Sequence, residues 1–178
     1  MAIEYISITP DLQSNVADVE RDAYGLRSGL YDEQDELQTL LGQPNAGRYS
    51  FLVYDGSYQS YCIASLRQCD NEQTFRSETL YINDFAVRVA AQGLHYGLTM
   101  AQEMLRRAND DNIERIAFHA RASTSYSAIN TSKHTNAFLN YYGYTMNESG
   151  GSDIYSPEGR LEESFHLITL DKMAVHHL

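Results

Sequence analysis

The pattern of apolar and polar positions predicts short strands that alternate with amphipathic helices. Residues 2–8 alternate between the two kinds of side chain, as a half-buried strand does. In residues 11–24 the apolar side chains recur at three- and four-residue spacings, which is typical of a helix. The same reasoning predicts further strands over residues 48–54, 58–68, 79–87, 113–120, 144–146 and 165–170, and further helices over 32–41, 96–109 and 131–142.

The order of these elements, β-α-α-β-β-β-α-β-α-β-β, predicts the type of sheet. Asp55-Gly56 is a strong hairpin-turn dipeptide, and hairpins pair strands antiparallel. The strand-helix-strand unit over residues 79–120 requires a parallel crossover. Residues 147–163 hold three Gly and one Pro and are predicted to form a loop. We therefore expect an α/β (α+β) chain with a mixed, mostly antiparallel central sheet and helices on both faces.

Size and charge narrow the class of function. A chain of 178 residues fits one domain, residues 1–178. Its net charge of −11 argues against a nucleic acid or a membrane surface as partner and suits a cationic amine. We find neither an apolar run that could span a membrane nor a signal peptide at the N-terminus, so we expect a cytoplasmic protein.

Cysteine and histidine give no metal or disulfide signature. Cys62 lies in a predicted strand, and Cys69 is too far along it to be bridged unless the chain turns back. We expect two free thiols. Neither has a companion cysteine at metal-ligand spacing and the six histidines are scattered, so we predict no metal site.

The segment over residues 85–98 carries the clearest chemical signal. An apolar strand ends, a short loop with Gly93 follows, and an amphipathic helix begins near Gly97. Such a turn aims several backbone N–H groups at one point, with the positive end of the helix dipole behind them, and can bind a pyrophosphate. On local evidence alone, an ordinary strand-to-helix turn explains the same residues.

The wider pattern resembles the GNAT superfamily of acyl-CoA-dependent N-acetyltransferases. That family's phosphate loop reads Arg/Gln-x-x-Gly-x-Gly/Ala, in which Gln92 fits the first position and Gly97 the last. His95 stands at the middle glycine, and Gly93 matches a frequent extra glycine. A later family helix ends in Gly-Phe or Gly-Tyr, here Gly143-Tyr144. The resemblance covers roughly residues 2–170.

The resemblance implies a GNAT-like fold with acetyl-CoA or CoA as cofactor. The backbone of residues 85–89 would pair with the pantetheine arm, and amides of residues 92–97 would hold the pyrophosphate. A splay between the strand ending at Val87 and the strand over 113–120 would admit the arm. His95 would either donate a hydrogen bond to the phosphate or face solvent. The residues implied to bind the cofactor are Phe85, Ala86, Val87, Val89, Gln92, Gly93, Leu94, His95, Tyr96, Gly97 and Ser132.

The general acid departs from the family pattern. Many members place a tyrosine four residues before the helix-ending glycine, to protonate the leaving thiolate, and here that position is Leu139. Tyr142 lies about 60° from Leu139 around the helix and is our predicted acid. A packing role for Tyr142 at the helix end is the alternative.

A carboxylate in the middle of an apolar strand is the candidate base. Asp84 is predicted to share a strand face with Ile82 and Ala86, and would help to take a proton from the amine. It could instead pair with an arginine, Arg88 or Arg121, or sit at a bulge. His119 is a second candidate.

These observations predict an N-acetyltransferase that moves an acetyl or other short acyl group from acyl-CoA to an amine by direct attack. The acceptor would be a small-molecule amine or a peptide. The alternatives are a CoA-binding module with the same fold and little or no turnover, and a protein or peptide acyltransferase. A homodimer is compatible with the sequence.

Overall fold

The structure is a computed structural model that describes residues 2–25, 34–67, 78–121, 139–155 and 161–173. Its strands are β1 (Glu4–Ser7), β2 (Phe51–Tyr54), β3 (Tyr58–Arg67), β4 (Thr79–Val87), β5 (Arg115–Arg121), β6 (Tyr144–Tyr155) and β7 (Leu161–Lys172). Its helices are α1 (Gln13–Tyr24), α2 (Gln34–Leu41), α3 (Ala46–Tyr49) and α4 (Tyr96–Asp110).

The seven strands form one mixed sheet in the order β1-β2-β3-β4-β5-β7-β6. Neighbouring strands pair antiparallel except β4 and β5, which pair parallel and are joined through α4. The predicted mixed, mostly antiparallel sheet is confirmed. The parallel pair lies inside the sheet. Parallel strands need a long crossover connection, which α4 provides here.

Helices cover both faces of this sheet, as predicted. On one face α4 packs on a core that includes Phe51, Leu80 and Ile116. On the other face α1 and α2 pack on a second core that includes Tyr61 and Ile63. We call these the α4 face and the α1 face.

The parallel ladder between β4 and β5 is short, and this creates an opening in the sheet. The paired residues run from Thr79 opposite Arg115 to Ile82 opposite Phe118. Strand β4 nevertheless continues to Val87, and β5 continues to Arg121. The two strands therefore diverge beyond Ile82, which is the splay that the resemblance implies.

A β-bulge in β4 corrects the predicted strand faces. The register with β3 shifts at this point, since Ile63 faces Asp84 but Ala64 faces Ile82, which leaves Asn83 as the extra residue. Ile82 therefore shares the α4 face with Phe85, while Asp84 lies on the α1 face. The predicted common face for Ile82 and Asp84 is wrong, because strict alternation ignores the extra residue.

Two element predictions also need correction. Within the stretch 147–163, residues 147–155 and 161–163 belong to strands rather than to a loop, since β6 reaches Tyr155 and β7 begins at Leu161. The first residues of the strand predicted over residues 48–54 belong instead to a helical turn, α3. Strand β2 therefore begins only at Phe51.

The helix predicted over residues 131–142 is described only from residue 139. Residues 139–141 are helical, and Gly143 follows with a φ of 75°. That left-handed conformation is the one expected of a glycine just past a helix end.

Candidate active site

The loop before α4 presents open backbone donors. Gly93 and His95 have φ angles of 80° and 69°, which turn the chain sharply into the helix at Tyr96. The Thr99 N–H donates to the His95 carbonyl at 2.9 Å, in the first bond of the helical ladder. The N–H groups of the preceding helical residues, 96–98, therefore have no intrahelical acceptor and can receive an anion.

His95 occupies a position that favours glycine. Its φ of 69° lies in the left-handed region, which costs an L-residue roughly 1–2 kcal/mol. The family motif has its middle glycine at this position, and the backbone here keeps the glycine-like conformation although a histidine is present. The side chain is exposed and does not cap the helix.

Gly97 lies where α4 passes close to β4. A Cβ atom built on Gly97 would be 3.6 Å from the Val87 Cγ2 atom, which is an ordinary contact distance. A methyl group therefore fits at this position.

An apolar cavity of about 330 Å³ lies on the α4 face beside this loop. Among the described residues it is lined by hydrophobic side chains and one glycine: Cys62, Ile82, Phe85, Val87, Gly97, Leu98, Met100, Ala101, Met104, Leu105, Phe118, Leu139, Met146 and Leu170. Ile82 and Phe118 are the last paired residues of the parallel ladder. The cavity therefore reaches the point at which β4 and β5 diverge.

The thiol in this cavity is not set up as a nucleophile. Cys62 is buried, and burial raises the pKa of its thiol to about 12. The group is therefore protonated at neutral pH, and the thiolate is the reactive form of cysteine.

Two pairs of polar side chains lie on the α1 face next to the same divergence. The Tyr61 hydroxyl donates to Asp84 Oδ2 at 2.6 Å. The Tyr81 hydroxyl of β4 and the His119 Nδ1 atom of β5 are 2.6 Å apart. Asp84 and His119 each lie one or two positions beyond the last paired residues, so both predicted bases flank the opening.

The surroundings of His119 keep its imidazole neutral. Burial and the nearby Arg67 guanidinium both lower the pKa of His119 from its usual value of 6.5. Arg67 stacks over the Tyr81 ring at 3.9 Å and donates to the Asn83 side chain. A neutral imidazole is the form that can accept a proton.

Tyr142 is not among the described residues that line the cavity. It packs against the core of the α4 face, and it contributes to the raised pKa of Tyr5, after burial and the nearby Glu103 carboxylate and against the opposing effect of Arg106. Leu139, at the position of the family acid, is only 5% exposed and lines the cavity itself. The structure therefore does not bring Tyr142 to Asp84, and its acid role stays a prediction.

The end of α1 contacts the backbone that the resemblance assigns to the pantetheine arm. The Val89 N–H donates to Asp22 Oδ2 at 2.7 Å, and the Tyr24 hydroxyl donates to the Phe85 carbonyl at 2.7 Å. Arg88, one suggested partner of Asp84, instead donates to the Tyr58 carbonyl.

The other predicted cofactor residues lie in different surroundings. Phe85, Val87 and Gly97 line the cavity, whereas Ala86 is buried in the core of the α1 face. The side chains of loop residues 92–95 are exposed. Ser132 lies outside the described residues.

Sequence reasoning missed Tyr61, Tyr81 and Asp22 as site residues. The contacts of each depend on parts of the chain that are distant in sequence. Tyr61 and Tyr81 reach their partners across adjacent strands, and Asp22 reaches a residue 67 positions away. The available signal is the position of Tyr61 on the strand next to that of Asp84, and of Tyr81 on the same strand as Asp84.

Within the described ranges, no three side chains of His, Cys, Asp or Glu converge in a way that would hold a metal ion. None of the helices described there is long and apolar enough to cross a membrane.

Comparison with known proteins assigns the family. The model of the acetyltransferase (GNAT) family matches residues 14–134, more than half of the chain, so the chain belongs to the GNAT family. A search of curated proteins finds no significant sequence match.

Solved structures share the fold at low sequence identity. The ribosomal-protein-S18-alanine N-acetyltransferase from Escherichia coli is 16% identical with a TM-score of 0.66, and the match covers 99% of each chain. Naa20 of Chaetomium thermophilum, in complex with a bisubstrate analogue, is 13% identical with a TM-score of 0.64, over 97% of this chain and 87% of that one. The NatC complex bound to Gag peptide and CoA is 14% identical with a TM-score of 0.64, over 94% of this chain and 98% of that one.

Proposed function

We propose that this chain is an acyl-CoA-dependent N-acyltransferase that moves an acetyl or other short acyl group to an amine. The observation that carries the proposal is the opening between β4 and β5, which has open N–H groups at one end and a candidate base beside it. A CoA pyrophosphate would bind the N–H groups of residues 96–98. The arm would then enter the opening along β4.

Direct transfer needs no acylated enzyme. The neutral amine attacks the thioester carbonyl, a C–N bond forms, the C–S bond breaks, and CoA leaves as the thiol. Because burial raises the pKa of Cys62 to about 12, an acyl-cysteine intermediate is disfavoured, which supports direct attack.

Asp84 is the proposed base for the amine. It lies on the α1 face, opposite the cavity, so the amine and the acyl donor would approach the opening from different sides. Tyr61 orients the carboxylate through a 2.6 Å hydrogen bond. The net charge of −11 attracts a cationic amine towards the protein.

Tyr142 is the proposed donor of the proton that the thiolate receives. It packs against the same core as the cavity-lining Leu139, which occupies the position of the family acid. The phenolic hydroxyl of Tyr142 can donate a proton.

The acidic charge of the chain and the similar solved structures both bear on the class of acceptor. Two similar structures are named with a peptide or a bisubstrate analogue, and another is named as an N-acetyltransferase of a ribosomal protein. A basic peptide and a small-molecule amine both suit the acidic chain. A panel containing both kinds of amine is therefore the proper assay.

A CoA-binding protein without turnover is the second candidate. It is favoured by Leu139, a buried leucine at the position where many members have the acid tyrosine. Thiol release from acetyl-CoA over the amine panel, measured beside CoA binding by calorimetry, separates the two. Release with at least one amine supports the enzyme, and binding without release on any amine supports the second candidate.

Gly97 offers a direct test of the phosphate site. Gly97→Glu places a carboxylate before the open N–H groups, so we expect CoA binding to be lost. Gly97→Ala is the matched control, since its Cβ has room at 3.6 Å from Val87. Equal CoA affinity in the folded Gly97→Glu protein and the wild type would place the pyrophosphate elsewhere.

A further inference from the structure

The pairing of β3 with β4 shows which backbone groups of β4 point into the opening. The Arg88 N–H donates to the Gln59 carbonyl at 2.9 Å, and hydrogen-bonded pairs alternate with non-hydrogen-bonded pairs along an antiparallel ladder. Val87 and Phe85 lie one and three positions before Arg88 in the same unbroken register, so they occupy non-hydrogen-bonded pairs. Their peptide groups therefore point away from β3, towards the side where β4 and β5 diverge.

Tyr24 reaches one of these carbonyl groups. It is the last residue of α1 and is 42% exposed, and its hydroxyl donates to the Phe85 carbonyl at 2.7 Å. Helix α1 packs on the α1 face of the sheet, which is the side from which we propose that the amine approaches. The Tyr24 hydroxyl therefore lies at the edge of β4 that borders the opening, on the side of the amine.

The direction of this hydrogen bond decides which ligand group the hydroxyl suits. A tyrosine hydroxyl has one proton to donate and lone pairs with which it accepts. Because the proton of Tyr24 is directed at the Phe85 carbonyl, its oxygen is oriented to accept a hydrogen bond. The oxygen therefore suits the N–H of an amine and not a thiolate, which needs a donor. The carbonyl has two lone pairs, so it can also accept a hydrogen bond from the cofactor's arm.

A second acceptor lies on the neighbouring residue of β4. Asp84 directly precedes Phe85, and its carboxylate on the α1 face accepts the Tyr61 hydrogen bond through Oδ2. A carboxylate accepts hydrogen bonds through both of its oxygens. A neutral primary amine has two N–H groups and one lone pair. If one N–H binds Tyr24 and the other binds Asp84, the lone pair remains for the thioester carbon.

We propose that Tyr24 is a further substrate-binding residue, which accepts one N–H of the amine while Asp84 accepts the other. This inference rests on the proposed function and names a residue that selects the acceptor. As the C–N bond forms and the C–S bond breaks, the nitrogen becomes positively charged and its hydrogen bonds strengthen. The nitrogen then passes one proton to Asp84, the thiolate takes a proton as described above, and Tyr24 keeps its own.

Matched primary and secondary amines test this contact, because a secondary amine has one N–H and cannot fill both acceptors. The probes, added to the amine panel, are benzylamine with N-methylbenzylamine, and an arginine-rich peptide beginning with alanine or with N-methylalanine. Tyr24→Phe removes only the hydroxyl. We expect kcat/KM for the primary amine to fall about 10- to 100-fold, as for one hydrogen bond to a charged group, and that for the secondary amine to change less than about threefold. Where a secondary amine reacts too slowly to assay, its inhibition constant is compared instead.

Tyr54→Phe is the matched control, since it removes a tyrosine hydroxyl from β2, which β3 separates from β4. It should leave the ratio of primary to secondary amine unchanged. An unchanged ratio in the folded Tyr24→Phe protein, with CoA released by at least one amine, overturns this inference alone. Equal losses for both kinds of amine also overturn it, because the hydroxyl then acts through β4 or the acyl donor. No release with any amine of the panel overturns the proposed enzyme, and this inference with it.

Discussion

At the scale of single residues, the account depends on Asp84. Its carboxylate is held by Tyr61 on the α1 face, two positions beyond the last paired residue of the parallel ladder. Asp84→Asn keeps the shape and removes the base. We expect kcat to fall by about 10²–10⁴-fold with CoA affinity unchanged, because the change acts on the reaction and not on the bound cofactor.

Steady-state kinetics and calorimetry on the same preparations check this prediction. His119→Gln is the comparison, because His119 flanks the opening from the other strand. A full loss of kcat in His119→Gln, with Asp84→Asn nearly normal, would transfer the base to the imidazole. Because burial and Arg67 lower the pKa of His119, the acid limb of the kcat profile would then lie below pH 6.5.

Tyr142 is tested by removing one hydroxyl. Tyr142→Phe keeps the ring in the core, so the fold should hold, and we expect kcat to fall by at least about 10²-fold if the hydroxyl is the acid. Tyr141→Phe is the matched control, since Tyr141 is 82% exposed. A kcat within about threefold of wild type for Tyr142→Phe, below the range for acid–base groups, would make Tyr142 a packing residue.

Residue-level expectations from the sequence held where the signal was local. The glycine-bearing loop, the helix start at Tyr96 and the glycine after the 139–141 turn follow from neighbouring residues. The face of Asp84 did not follow, because one bulged residue, Asn83, reverses the alternation and only the pairing with β3 reveals it.

At the scale of elements, α1 restrains the end of β4. Asp22 accepts the Val89 N–H at 2.7 Å, which places a negative charge beside the backbone proposed to meet the cofactor. Asp22→Asn retains an oxygen acceptor and removes the charge. We expect CoA affinity to rise several-fold at low salt and less at high salt, because the repulsion is screened.

Asp18→Asn is the control for that change. It alters the net charge equally on the same helix, at an exposed carboxylate that pairs with Arg21. Calorimetry at two salt concentrations measures both variants. Equal gains in the two would mean that net charge alone is responsible, and a loss for Asp22→Asn would mean that its hydrogen bond orders the loop.

The hairpin of β6 and β7 shows where element prediction fails. Residues 147–163 are rich in Gly and contain a proline, which locally favours a loop. In the folded chain the β6–β7 ladder extends to Tyr155 opposite Leu161, with a register shift between Glu148 and Gly151. Glycines commonly mark such bulges, and pairing with a distant strand outweighs local propensity.

At the scale of the whole molecule, Glu103 holds the arginine that connects α4 to α3 and β2. This carboxylate is 7% exposed and accepts hydrogen bonds from Arg106 and Arg107 at 2.7–2.8 Å. Arg107 also donates to the Arg48 carbonyl and stacks over Phe51. Glu103→Ala removes the carboxylate partner of the largely buried Arg107 guanidinium, so we expect the free energy of unfolding to fall by about 3 kcal/mol.

Urea denaturation measures this effect, with Asp110→Ala as the control. Asp110 pairs with Arg106 at the surface and should contribute less than about 1 kcal/mol. Burial raises the pKa of Glu103, but its hydrogen bonds to the two arginines outweigh burial and hold it below 4.5. The stability that Glu103 provides is therefore present above pH 4.5 and lost as the pH falls through the lowered value. A Glu103→Ala loss no larger than that of Asp110→Ala would contradict this account.

The most direct test of the central claim is a crystal structure with CoA bound. The account predicts pyrophosphate oxygens within about 3 Å of the N–H groups of residues 96–98. It also predicts the arm inside the opening, beyond Ile82, with the sulfur at the divergence of β4 and β5. Pyrophosphate bound anywhere else, with the opening closed and the first turn of α4 unoccupied, would contradict the account.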